Sequence, residues 1–211
     1  MADPHFGHGN IIKYSGRTLF MSDAEREAYE ACNGDEELIR KIRISPESVD
    51  RMNDGIISNI NSSVQPGDHL YCLGDWSFAN GENYVRRARY FRDQINCEHV
   101  HLIWGNHDRL SLRGAVNFES CMDTATVEAA GHMFFLSHYP HVSWDKSHKG
   151  VLHLYGHVHD LYRDECPVVW GDRWAAQDVG VDVEKRYGAW SDTELVQRFT
   201  AKADKVKMQH V

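Results

Sequence analysis

No stretch of this chain approaches the roughly 18 consecutive apolar residues that a membrane-spanning helix needs, and no secretory signal pattern opens it. Membrane partners are therefore not expected. The five cysteines, Cys32, Cys72, Cys97, Cys121 and Cys166, are scattered and odd in number, without a CxxC pair. Such usage argues against a disulfide frame or a thiolate zinc site and suits reduced thiols in the cytoplasm. Positive charge is also scarce: 23 Lys and Arg against 31 Asp and Glu leave a net charge of −8. No broad basic face is then available to hold nucleic acid by its phosphates. Repeats, low-complexity tracts and Pro/Gly-rich linkers are missing, and prolines number only 5. An undivided chain of 211 residues is expected to form one domain over 1–211, large enough for a sizeable core.

What the chain does have is a clear alternation of element patterns. Ser22-Asp23-Ala24-Glu25 reads as a capping box opening a short helix. Ser45 as N-cap with Pro46 at the first helical position opens a longer one. Its Val49, Met52, Ile56, Ile57 and Ile60 recur at helical spacing and give it one buried face. Residues 69–73 read as a buried strand delivering Gly74-Asp75 at its carboxyl end. A helix with Tyr84, Val85, Ala88 and Phe91 on one face follows, then a strand over 100–104 delivering Gly105-Asn106-His107-Asp108. Strand–helix–strand alternation implies parallel pairing. Residues 124–128 and 133–136 read as a hairpin, 151–155 and 179–183 as further strands. Ser191-Asp192-Thr193-Glu194 opens a last helix through Phe199. The expected fold class is α/β: two mixed sheets packed face to face as a sandwich flanked by helices.

Chemistry concentrates in five short polar clusters: Asp3-Pro4-His5, Gly74-Asp75, Gly105-Asn106-His107-Asp108, His138, and Gly156-His157-Val158-His159. Singly, each has an ordinary explanation as a terminus, a turn, a strand end or a hydrogen-bonded core histidine. Three of them lie just after an apolar run, and together they supply Asp, His and Asn donors, which suit Mn, Fe, Zn or Co rather than a soft metal. Glycine among the ligands lets the backbone turn sharply so that several side chains converge. Two divalent cations would also offset part of the acidity at one spot.

The pattern D-x-H … G-D … G-N-H-D … H … G-H-x-H, running from Asp3 to His159, resembles the calcineurin-like metallophosphoesterase superfamily. The string His5-Phe6-Gly7-His8-Gly9-Asn10-Ile11-Ile12 further resembles a small bacterial and phage branch of it. That resemblance implies a four-layer α/β/β/α sandwich and two divalent metal ions, Mn2+ first, with Fe, Zn, Co or Ni as alternatives. It assigns Asp3, His5 and His159 to the first metal, Asp75 as the bridge, and Asn106, His138 and His157 to the second. A bridging hydroxide would attack phosphorus in a phosphomonoester or phosphodiester substrate, and His107 would protonate the leaving oxygen. Arg109, His8 and Arg17 are secondary candidates for touching the phosphate, and residues 14–44 and 143–150 for lining the cleft. Tyr139-Pro140, Trp76 and Trp104 are read as packing.

Two departures from the resemblance stand out. Phe78 occupies the place where many relatives carry an Asp that orients the catalytic histidine, leaving Asp108 as the substitute. Only Met1-Ala2 precedes Asp3, so the buried first strand expected there is missing or truncated, with Asp3 and His5 at risk of fraying. A clipped chain or a late-assigned start is the expectation. Rival functions are a nuclease using the same site and a non-catalytic interaction module of the same fold. The seven ligands weigh against the module. The acidic balance weighs against the nuclease, for which a small patch at Arg86, Arg87 and Arg89 is the one local support.

Overall fold

A computed structural model describes residues 1–79, 81, 83–161 and 175–209, with 202–209 as backbone. Cys166 lies outside the described residues; the other four cysteines carry free thiols. The helices are α1 (Gly9–Tyr14), α2 (Asp23–Ala31), α3 (Glu36–Lys41), α4 (Pro46–Ser63), α5 (Asn83–Arg92) and α6 (Asp192–Gln209). None of the described helices is long and apolar enough to cross a membrane.

The caps act as their sequences suggest. Ser22 Oγ accepts from the Glu25 amide and the Glu25 carboxylate accepts from the Ser22 amide, which opens α2. The same Glu25 carboxylate also accepts from the Ser45 amide at 2.6 Å and from the Ser48 hydroxyl, pinning α2 to the first turn of α4. Burial pushes this carboxyl up, but the hydrogen bonds from Ser48, Ser45 and Ser22 prevail and hold it at about 2. Ser191 and Glu194 form the reciprocal pair at the start of α6.

Three strands, β1 (His69–Cys72), β2 (His99–Ile103) and β3 (Ser120–Met122), form one sheet in that order. All of its pairings are parallel, so this sheet is not mixed as expected. The second sheet is mixed: β4 (Thr124–Ala129) and β5 (His132–Ser137) are the antiparallel hairpin, while β6 (Leu152–Tyr155) and β7 (Ala176–Asp178) join parallel. One core lies between the first sheet and α1, α4 and α5, with Ile12, Met52, Ile56, Phe91, Val100 and Leu102 at its centre. A second core joins Leu73 and Ile103 to Phe134, Leu136 and Leu154 of the second sheet and to Leu195 and Phe199 of α6. On β5 and β6, Phe135 and His153 are met by His141 and Trp144 of the β5–β6 connection, a cover made by a loop.

Two expectations need correction. Residues 179–183 are not a strand. The strand ends at Asp178, whose carboxylate accepts the Gly180 amide at 2.7 Å and turns the chain; Val183–Lys185 is a 3-10 turn. Nor do Asp3 and His5 fray. Ala2 is bridged to Gly180, donating to Val179 O at 3.0 Å and accepting from Val181 N at 2.9 Å. Asp3 N donates to Gly74 O at 3.1 Å, so residues 1–3 run between the two sheets' neighbouring loops. Further back, a cavity of about 530 Å3 lies beside β1, lined by Leu70, Tyr71, Phe134, Leu136 and Leu195 among others. The Met1 ammonium reaches Tyr71 O at 3.0 Å at that cavity's wall, and burial lowers its pKa.

Candidate metal centre

Backbone pairing brings the first cluster to the second. His5 N donates to Asp75 O at 3.0 Å and Phe6 N to Trp76 O at 3.1 Å, so residues 3–6 run along the loop leaving β1. The loop leaving β2 is stitched to it by Asp108, whose carboxylate accepts from the amides of Asp75 (2.8 Å), Trp76 (3.0 Å) and Gly105 (3.0 Å). Burial pushes the Asp108 carboxyl up to about 6 even against those three donors. Gly105 must be glycine, because a Cβ there would overlap the Asp75 carboxylate and backbone. Gly156 is held likewise by Ala2 and the Asp3 carboxylate.

The side chains converge at the carboxyl ends of β1, β2, β5 and β6. Ligand atoms of Asp3, His5 and His159 lie within 4.8 Å of one another, and so do those of Asp3, Asp75 and His138. His5 Nε2 is 3.4 Å and His138 Nε2 3.7 Å from Asp75 Oδ2. His138 Nδ1 donates to Leu73 O at 2.8 Å, and its Nε2 lies 2.9 Å from Asn106 Oδ1. The His157 ring stands 5.0 Å from that of His138, and the His157 amide donates to Asp3 Oδ2 at 2.8 Å. All seven expected ligand residues are thus brought together, with Asp3 shared by both groups.

Five of the seven, Asp3, His5, Asp75, His157 and His159, have left-handed backbone, with φ between 50° and 73°. That conformation costs a non-glycine residue about 1–2 kcal/mol. Strain of this kind gathers where function requires it.

Electrostatics point the same way. Asp3, His5, Asp75 and His138 are each at most 2% exposed. Burial, with Asp178 and Asp75 nearby, drives the Asp3 carboxyl well above its usual range. Burial, reinforced by His159 and Arg17, drives His5 well down, and burial also lowers His138 and His157. Neutral imidazoles keep the lone pairs that a cation takes. Asp3 Oδ1 and both ring nitrogens of His5 are buried without a hydrogen-bond partner among the described residues. Such orphaned donors are costly in an apolar interior. A donor set of carboxylates and imidazoles with orphaned atoms at its centre fits a hard or borderline divalent cation.

His107 sits at the rim, its amide donating to Asp75 Oδ1 at 2.9 Å. The Asp108 carboxylate accepts from three amides, and among the described residues no hydrogen bond joins it to the His107 ring. Phe78 packs edge-on against the His107 ring at 5.7 Å and stacks on His8 at 4.0 Å, so aromatic contact stands where a carboxylate was expected. Burial lowers His8 to about 4. The Tyr84 hydroxyl steadies the loop, donating to His107 O and accepting from Arg109 N, each at 3.1 Å. The Arg109 guanidinium lies over the Tyr84 ring at 4.8 Å. Trp76 is fully buried, as its packing role requires, whereas Tyr139 is exposed and sets its ring edge against His157 at 4.6 Å.

Two participants are not in the expected site. Asp178, pushed up to about 6 by burial, accepts from the amides of Gly180 and Asp160 and braces the loop around His159. Asp182 accepts from His159 Nδ1 at 2.6 Å and is paired with Arg17. Arg17 therefore does not reach for a phosphate; it is fully buried. A lone arginine in a polar stretch gives no sequence signal of that fate.

No family model matches the chain. It is 28% identical over 184 residues to the uncharacterized protein MJ1445 of Methanocaldococcus jannaschii, a match covering 87% of this chain and 80% of that protein. The crystal structure of the protein of unknown function AQ665 from Aquifex aeolicus is similar at a TM-score of 0.60, covering 93% of this chain and 96% of that one at 22% identity. The second likeness shows a shared fold. Neither name carries an activity, so the chemistry is argued from the side chains.

Proposed function

We propose that the chain is a metal-dependent phosphoesterase of the calcineurin-like metallophosphoesterase type, an α/β/β/α sandwich of one domain working in the cytoplasm. The observation that carries the reading is the set of buried ligand atoms without a hydrogen-bond partner among the described residues, Asp3 Oδ1 and both nitrogens of His5, inside a ring of further Asp and His donors. Asp3, His5 and His159 would hold one divalent cation, and Asn106, His138 and His157 a second, with Asp75, whose Oδ2 lies 3.4 Å from His5 Nε2 and 3.7 Å from His138 Nε2, as the bridge. When bound, the cations, Mn2+ foremost, supply charge neutralisation for phosphoryl oxygens and acidify a water for attack on phosphorus.

The remaining work falls to the chain. Asp108 and Gly105 fix the two loops so that Asp75 faces both groups. His107, half-exposed beside His5 and held by Phe78, carries the ring nitrogen that donates a proton to the departing oxygen. His8, stacked on Phe78, narrows the same rim.

The test is hydrolysis of bis-p-nitrophenyl phosphate and p-nitrophenyl phosphate with added Mn2+. Asp75→Asn and His138→Ala are expected to lose at least about 100-fold in rate, the upper end of what even an outer-shell partner costs. Circular dichroism should show an unchanged fold. An unaltered rate in either variant would sink the assignment.

A further inference from the structure

Arg17 and Asp182 come from opposite ends of the chain and meet in the interior. Arg17 Nε donates to Asp182 Oδ1 at 2.7 Å and Nη2 to Oδ2 at 2.9 Å, a two-pronged pairing. The guanidinium has further protons, and they are not idle. Nη2 also donates to Asp3 O at 2.8 Å, and Nη1 to Pro4 O at 3.0 Å. Asp182 Oδ2 in turn accepts from His159 Nδ1 at 2.6 Å. One ion pair therefore grips the two backbone carbonyls between Asp3 and His5, and the ring of His159. Those are the three members of one ligand group.

We infer that Arg17 and Asp182 are positioning residues for the first cation, an inference that rests on the two-metal reading above. A proton held on Nδ1 by Asp182 leaves the lone pair of His159 on Nε2, the nitrogen free to take a cation. Ligating histidines are commonly fixed in tautomer and orientation by a carboxylate on their other nitrogen. The Arg17 contacts do the equivalent for the backbone, keeping Asp3 and His5 in their left-handed conformations. Among the described residues, no hydrogen bond or ion pair joins Asn106, His138 or His157 to this pair, which reaches the second group only through Asp3, so its influence falls mainly on one half of the centre.

A pair that merely closed the fold would lower thermal stability and treat both cations alike. The deciding experiment uses 15N-histidine-labelled full-length protein, metal-free, together with Mn2+ binding isotherms read by electron paramagnetic resonance. In the wild type, long-range 1H–15N correlations should place the His159 proton on Nδ1, and two Mn2+ should bind per chain. In Asp182→Asn the His159 ring should lose that single tautomer, and one binding event should weaken about 10- to 100-fold while the other holds. Arg17→Lys keeps the charge but loses the fork, so it should weaken the same event by less. If Asp182→Asn does not fold, the wild-type tautomer and the Arg17→Lys isotherm decide. A proton on Nε2 in the wild type, unaltered isotherms, equal weakening of both events, or no Mn2+ uptake at all would each overturn the inference. Two bound Mn2+ with the expected tautomer but no ester hydrolysis would remove the phosphoesterase reading and leave this one standing.

Discussion

Asp3 and Asp182 are both aspartates shut away from solvent, yet their surroundings treat them in opposite ways. Around Asp182 the chain supplies its own balance: a guanidinium on two oxygens and an imidazole N–H on one. Burial pushes Asp182 upward, but the charge of Arg17 and the bond from His159 win, and its pKa falls below the usual value. Around Asp3 one backbone amide donates to Oδ2 and, among the described residues, no hydrogen bond reaches Oδ1, with three more carboxylates, Asp178, Asp75 and Asp182, close by. Its pKa rises instead. The lesson is that a buried acid with its own cation is architecture, whereas a buried acid without one is where the proposed cation would bind.

The comparison can be broken at Arg17. Arg17→Ala leaves Asp182 buried without its main partner and should cost about 3–5 kcal/mol in urea unfolding; a loss below about 1 kcal/mol, the scale of an exposed pair, would show that Asp182 does not depend on it. It can be sharpened at Asp3. Mn2+ at a hundredfold excess over its dissociation constant should stabilise the wild type by about 2.7 kcal/mol. Asp3→Asn should lose most of that gain, yet melt higher than the wild type at alkaline pH when both are metal-free, because a buried carboxylate repelled by Asp178 and Asp75 is gone. A lower metal-free melting temperature for Asp3→Asn at that pH would contradict the contrast.

The smallest effect comes from a third carboxylate, Glu25, which resembles Asp182 in being satisfied but uses neutral donors. Glu25→Gln should cost about 1–2 kcal/mol. Its pKa is about 2 in the fold against 4.5 unfolded. A depressed carboxyl stabilises fully above pH 4.5 and loses that contribution as pH falls toward 2. Acid unfolding followed by fluorescence should therefore show a shallower slope over that window in Glu25→Gln than in the wild type.

Much of this was legible in the sequence where one residue type has one physical use. The capping boxes at Ser22 and Ser191, the proline start of α4 and the hairpin all form. Strand-end glycines with Asp, Asn and His do converge, since few other arrangements tolerate those residues behind apolar runs. What was hidden depends on tertiary partners. Nothing in the string around Arg17 says that it will be buried, because the acid that permits it lies 165 positions away. Asp108 braces three amides, a use that local sequence does not reveal because it does not show which way a carboxylate turns. The strand expected over 179–183 lost to Asp178, whose side chain captures the Gly180 amide and bends the chain early. Residues 1–3 hold their place by pairing at single positions rather than as a long strand.

The left-handed backbone at Asp3, His5, Asp75, His157 and His159 has a practical meaning for anyone wishing to transplant this centre. Copying the seven side chains onto another sandwich with relaxed loops would aim them along different vectors. The transferable unit is the contorted main chain together with the glycines that let its turns nest. A graft should begin from those loops and treat the side chains as passengers.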